Sequence, residues 1–161
     1  MPAKPDRHNW NELHTYVRIH RAYLDRAMER GIVLSHDLEQ FQLLPDEVRL
    51  TGRAVCTHGM FLDVDKQLDV MYRNGRQYVR TYRYNYQAMI VGNEPRPVFR
   101  YDNAHAYPGH ADDHHKHCVN YEDWTYIEPP QWIGHDGWPV LSEMIDELHQ
   151  WWLDTGWRLR P

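Results

Sequence analysis

The feature that most constrains this chain is a switch of hydrophobic period near residue 48. From Val48 to Asp102 apolar and polar residues tend to alternate, and turn signals interrupt the alternation at short intervals. Residues two apart share one face of a strand, so such a stretch can bury one side and solvate the other. Val48, Leu50, Ala54 and Cys56 make a first run, and Thr57-His58-Gly59 offers a turn. Met60 to Val70 then sets Leu62 and Val64 on one side and Asp63 and Asp65 on the other. Arg73-Asn74-Gly75 is a second turn, because Asn-Gly accepts positive φ at both central positions. Gln77 to Val91 reads as a long Tyr-rich strand, Val91-Gly92-Asn93-Glu94-Pro95 turns the chain again, and Pro97 to Asp102 makes a fourth, short strand. Four strands with short connections predict an antiparallel meander over 48–102, with helices on one face and the other open to solvent or ligand.

The flanks follow a different period. Leu13, Tyr16, Val17, His20, Tyr23, Leu24, Ala27 and Met28 recur at three- and four-residue steps, which predicts an amphipathic helix over 9–30, capped by Asn9 or Asn11 and stopped at Gly31. Ser35, Asp37 and Glu39 predict a short second helix ending before Pro45, with a strand at Ile32 to Leu34 as the alternative. Residues 103–138 lack periodicity and read as a long loop with one brief element near Tyr121 to Ile127. Leu141, Met144, Ile145, Leu148, Trp151 and Trp152 restore helical spacing over 139–156, with Pro139 early and Gly156 as the stop. The expected fold is therefore a single α+β domain spanning 1–161. It comprises an N-terminal helix or helix pair, a four-stranded meander, a His-rich loop and a C-terminal helix.

A chain of 161 residues with 42% apolar content can fill one core. Its two cysteines, Cys56 and Cys118, do not support a secreted disulfide framework. No leader-like or membrane-spanning apolar stretch is visible, so the expected compartment is the reducing cytoplasm, with no membrane partner. Net charge is −5, yet the charges are segregated along the chain. Between Met71 and Arg100 stand Arg73, Arg76, Arg80, Arg83, Arg96 and Arg100 against Glu94 alone, whereas the stretch from Tyr121 onward carries eight acids against Arg158 and Arg160. The central segment is thus a candidate for binding phosphate, and two solvated faces of opposite sign are the plain alternative.

Chemistry concentrates in Phe99 to His117, FRYDNAHAYPGHADDHHKH. His105, His110, His114, His115 and His117, five of the twelve histidines, fall within this segment beside Asp102, Asp112, Asp113 and Lys116. Imidazole exchanges protons near neutral pH, which suits RNA cleavage by attack of the 2′-hydroxyl on phosphorus. His105, His115 and His117 are the candidates for proton transfer, with Asp102 orienting them. Arg83, Arg100, Lys116 and Tyr101 are the candidates for holding phosphate or RNA. A competing reading is a metal site, zinc or nickel, on His110, His115 and His117, with His105 or Asp102 completing the shell. A solvated polar loop is the third. Along the long strand Tyr78, Tyr82, Tyr84 and Tyr86 share one face, read as mostly packed on the helices, and Arg83, Asn85 and Gln87 share the other. His8, His14, His20, His36, His58, His135 and His149 are scattered and read as surface or capping residues.

The run Val98-Phe99-Arg100-Tyr101-Asp102-Asn103-Ala104-His105, followed by His114-His115-Lys116-His117, resembles the TumE-type toxins of prokaryotic toxin–antitoxin modules over roughly Val48 to Asp123. Membership implies a cytoplasmic toxin that inhibits growth until bound by its antitoxin, which would be a helix-turn-helix protein. The helix-then-meander layout is similar to that of RelE-like ribonuclease toxins. Together these predict a metal-independent endoribonuclease, a hydrolase needing no cofactor, with RNA as its ligand. The alternatives are a non-catalytic interaction protein built on a His-rich metal site and a metal-dependent hydrolase. Outside the resembling span lie the N-terminal helix and the acidic, Trp-rich segment after Asp123, either of which could form a homodimer surface or cover the basic face.

Overall fold

A computed structural model describes residues 7–159 and turns the central alternation into an antiparallel sheet. The described chain enters through a two-residue strand, β1 (Asn11–Glu12), which runs straight into helix α1 (Leu13–Glu29). The helix therefore starts later than the expected 9, and neither Asn9 nor Asn11 caps it. Asn9 Oδ1 accepts from the Trp10 amide and Asn11 Nδ2 donates to the Asn9 carbonyl, shaping the turn before β1. His20, Leu24 and Ala27 form the buried stripe of α1, and full burial of a side chain such as Leu24 contributes about 1.5–3 kcal/mol. Gly31, at φ +68°, ends the helix as expected, with its amide on the Met28 carbonyl.

The second helix predicted after Ser35 is absent. Two strands, β2 (Val33–His36) and β3 (Phe41–Leu43), stand there instead, both paired with β4 (Glu47–Cys56). Sheet pairing supplies their backbone groups with partners that an isolated short helix would lack, and Asp37, just past β2, ties that strand to β4 by accepting from the Arg53 amide at 2.5 Å. A single 3₁₀ turn at Thr57–Gly59 leads to β5 (Met60–Arg73), and Asn74-Gly75, at φ +51° and +72°, folds β5 back onto β6 (Arg76–Ile90). A bulge at Tyr82 breaks the Tyr face: Tyr84 and Tyr86 are buried, whereas Tyr82 turns outward and Thr81 and Val79 turn inward. β7 (Arg96–Asp102) completes the expected meander.

The segment 103–138 is not a plain loop. It contains β8 (His115–His117), β9 (Val119–Asn120), β10 (Thr125–Tyr126), β11 (Gln131–Trp132) and a 3₁₀ turn at His135–Gly137. β8 pairs with β7, and β11 with β8, so the sheet has nine strands rather than four, ordered β11-β8-β7-β6-β5-β4-β2 with β1 beside β6 and β3 beside β4. Helix α2 (Leu141–Trp151) follows, with Glu143 accepting from the Val140 amide at 3.0 Å. Pro139 lies just before it, and Gly156 ends a π turn that extends it.

Both helices lie on one face of the sheet. Leu24 and Ala27 from α1, together with Met144, Ile145 and Leu148 from α2, pack on Leu62, Val64, Tyr84, Tyr86, Ala88 and Tyr101. The opposite face, over β4 to β6, is laced with ion pairs: Arg49 with Asp65 at 3.0 Å, Arg53 with Asp63 at 2.6 Å and Arg80 with Asp69 at 3.2 Å. Arg76 pairs with Glu12 at 2.6 Å. Within the basic run of the sequence, Arg76, Arg80 and Arg100 are thus neutralised in space, because the fold sets Glu12 of β1, Asp69 of β5 and Asp102 of β7 beside them.

Candidate active site

The site begins at Asp102, the last residue of β7, whose side chain is fully buried. Such a carboxylate must be answered by donors. Its Oδ2 accepts from Arg100 Nε at 2.6 Å, and its Oδ1 accepts from the Ala104 amide at 3.1 Å. The register then brings in the histidines. Asp102 lies opposite His115 and Arg100 opposite His117, so all four side chains project from the same face at the β7–β8 edge. His115 Nε2 lies 3.1 Å from Asp102 Oδ1, and its Nδ1 contacts the Asp113 carbonyl at 2.7 Å. A carbonyl only accepts, so Nδ1 is the donor in that bond. His117 Nε2 lies 3.4 Å from Asp102 Oδ2, outside hydrogen-bond geometry.

Electrostatics separates the members. Burial pushes the Asp102 carboxyl up, but the hydrogen bond and charge of Arg100 outweigh it and hold the group below its ordinary value. Burial, then the neighbouring charge of Arg100, hold His117 below the usual imidazole value, against the opposing pull of Asp102. His117 is accordingly neutral at pH 7. Tyr107 stacks on His115 with centroids 5.5 Å apart, and Tyr126 stands edge-on to His117 at 5.5 Å, so aromatic side chains from both flanking segments cover the cluster.

The structure brings together Asp102, His115, His117 and Arg100, and sends the other candidates elsewhere. Lys116 and Tyr101 occupy the opposite, helix-covered face, where Lys116 Nζ and the Tyr101 hydroxyl both donate to the Glu147 carboxylate of α2, at 2.6 and 2.9 Å. Arg83 donates to the Ala104 carbonyl at 2.9 Å, bracing the chain just past Asp102. His105 is exposed and makes no ion pair or ring contact with the cluster. His114 is buried against Trp138, with its Nδ1 3.2 Å from the Tyr84 hydroxyl, and serves the core. His110 is sandwiched between Tyr107 and Trp132 at 4.7 and 4.9 Å, away from the metal set proposed for it. Asp102 stands in its place: the ligand atoms of Asp102, His115 and His117 lie within 4.8 Å of one another. That spacing fits a cation, but the Arg100 guanidinium already occupies Oδ2, and a metal there would face a neighbouring positive charge.

The strand His115–His117 is not legible in the sequence. Both of its faces carry polar residues, because one meets Asp102 and the other meets Glu147, so no alternation was visible. Lys66, outside the candidate residues of the sequence, occupies a core-facing position in the row Leu62, Val64, Lys66, Leu68 and is only 8% exposed. The signal was a cation at an apolar step of the period. A family model described as Toxin TumE matches residues 21–152, extending the likeness well beyond Val48 to Asp123 and taking in the C-terminal half of α1 and all of α2. No curated protein and no solved structure matches the chain.

Proposed function

The chain belongs to the TumE toxin family, and from that premise we propose that it is the toxin of a toxin–antitoxin pair and cleaves RNA without a metal. The observation that carries this reading is one buried carboxylate that holds two imidazoles and a guanidinium together. His117, neutral at pH 7, takes the proton of the 2′-hydroxyl as that oxygen attacks phosphorus. Arg100 bears the charge that builds on the phosphoryl oxygens. The bond from phosphorus to the 5′ oxygen breaks, and the imidazolium returns its proton to that oxygen, leaving a 2′,3′-cyclic phosphate and a 5′-hydroxyl. His115, with one nitrogen on the Asp113 carbonyl and the other facing Asp102, is a positioning residue.

The test is cleavage of RNA by the purified chain in EDTA. Activity is expected to persist in EDTA, to fall by about 10²-fold or more in His117→Ala, and to survive in His105→Ala. Inactivity of the unmodified chain on every RNA tried would overturn the nuclease reading. The second reading, a metal-dependent hydrolase or a metal-held interaction module on Asp102, His115 and His117, rests on their 4.8 Å spacing. Loss of cleavage in EDTA with recovery on added zinc or nickel favours it. In cells, expression is expected to arrest growth and co-expression of the cognate antitoxin, in this reading a helix-turn-helix protein, to relieve the arrest. The site of action is then the cytoplasm.

A further inference from the structure

On the helix-covered face of the sheet, opposite the face that carries Asp102, His115 and His117, a cleft of about 290 Å³ opens between α1, the β5–β6 sheet and the start of α2. Tyr16, His20, Lys66, Thr81, Tyr86 and Trp138 line it. Its deep end holds Lys66, at a position where the neighbouring residues of the same row, Val64 and Leu68, are apolar core. A buried ammonium needs an anion or full hydrogen bonding to offset the loss of water. Lys66 has neither in full. Among the described residues no carboxylate lies within ion-pair distance of it. Nζ donates to the Tyr16 hydroxyl at 3.3 Å, the Tyr86 side chain also bonds to it, and the Tyr16 and Tyr86 rings lie 5.7 and 5.4 Å away. Tyr16 in turn shares a hydrogen bond of 2.9 Å with Thr81.

The other basic groups of the cleft do not compete for an anion. His20 is held by burial, and then by the charge of Lys66, at a value lowered to about 4, and its Nε2 contacts the Leu38 carbonyl at 2.7 Å. Arg7 at the rim is tied to Glu143 and to the Trp138 carbonyl. One side of the rim is a flat aromatic wall, where His8 stacks on Trp138 with centroids 3.7 Å apart. A desolvated cation at the closed end, hydroxyls beside it and aromatic rings around it form the usual composition of a small-molecule site, with few polar groups and many apolar ones. The lower bound for such sites is roughly 300 Å³, so the occupant is small.

We propose that this cleft binds a small ligand carrying one phosphate or carboxylate group, with the anion on Lys66 and the Tyr16 and Thr81 hydroxyls and the body of the ligand against the aromatic wall. The site is separate from the histidine cluster and does not depend on the nuclease reading. The test uses the full chain, with calorimetric titration and thermal unfolding in inorganic phosphate, adenosine monophosphate and benzoate, against sodium chloride of equal ionic strength. At least one probe is expected to bind saturably and raise Tm. Response to phosphate and the nucleotide assigns a phosphoryl ligand, and response to benzoate alone assigns a carboxylate. Lys66→Met is expected to weaken binding about tenfold or more, as loss of a charge-assisted hydrogen bond does. Tyr16→Phe, which keeps the charge, should weaken it less, and His117→Ala should leave it unchanged. Failure of all three probes to bind saturably overturns the proposal. So does undiminished affinity in a cooperatively unfolding Lys66→Met or, if that variant does not fold, in Tyr16→Phe combined with Thr81→Val.

Discussion

Asp102 shows how a single buried charge orders a site. Removing it strands Arg100 and two imidazoles around an empty position, so Asp102→Ala is expected to cost about 3–5 kcal/mol of stability, whereas Asp102→Asn, which keeps an acceptor, costs less. Urea unfolding of the two variants measures the difference. Because the folded Asp102 value is depressed, its contribution is present above the ordinary carboxyl range and disappears as pH falls through the folded value. His20 gives a second pH dependence at higher pH. Its value in the folded chain is about 4 against 6.5 in the free side chain, so the unfolded state binds the extra proton between those limits. Stability is therefore full above 6.5 and falls by about 3 kcal/mol as pH drops toward 4. In His20→Gln that part of the slope should vanish, and an unchanged slope between pH 6.5 and 4 counts against the assignment.

Among the elements, the β2–β3 segment and β8 depart furthest from what patterning alone predicts, each for a local reason. β2 reaches β4 through Asp37, and at Gly52 the two backbones approach so closely that an added Cβ would lie 2.5 Å from Asp37 Oδ1 and 3.1 Å from its carbonyl oxygen. Gly52→Ala is accordingly expected to destabilise by about 1–3 kcal/mol through overpacking, read as a lower denaturation midpoint with an unchanged slope. Unaltered stability would mean that the β2 segment shifts without cost. β8 is held on the helix side by Lys116 and Tyr101, which both end on Glu147 of α2. The strand that presents the histidines is thereby fastened to the helix on the other face. Burial opposes the charge of Lys116, but Glu147 and then Tyr101 outweigh it and raise its value.

On the scale of the molecule, the arginines that made residues 71–100 look like a nucleic-acid platform are mostly engaged. Arg76, Arg80 and Arg100 sit on carboxylates, and Arg96 lies over the Trp124 ring at 5.1 Å. An RNA substrate is thus met by few uncompensated cations on a chain of net charge −5. If about two phosphates are neutralised, log K against log salt for single-stranded RNA should have a slope near −1.4. Filter binding between 50 and 200 mM salt reads it directly, and a slope several times steeper would show that the ion pairs open to take up RNA.

The periods of the sequence determined the two long helices, the turn at Asn74-Gly75 and the central strands, because each of those is specified by neighbours in the chain. They also marked Phe99 to His117 as the place where proton-transferring residues gather. Which of those residues meet was decided by tertiary pairing. The β7–β8 register set Asp102 against His115 and turned Lys116 and Tyr101 to the helix side, and a bulge at Tyr82 reversed the strand's faces. Position in the chain separates His115 and His117 from Asp102 by more than ten residues, and no local preference encodes a contact across that distance. The same holds for Lys66, whose anomaly was visible as a cation in an apolar row but whose cleft exists only because α1 and α2 close over it.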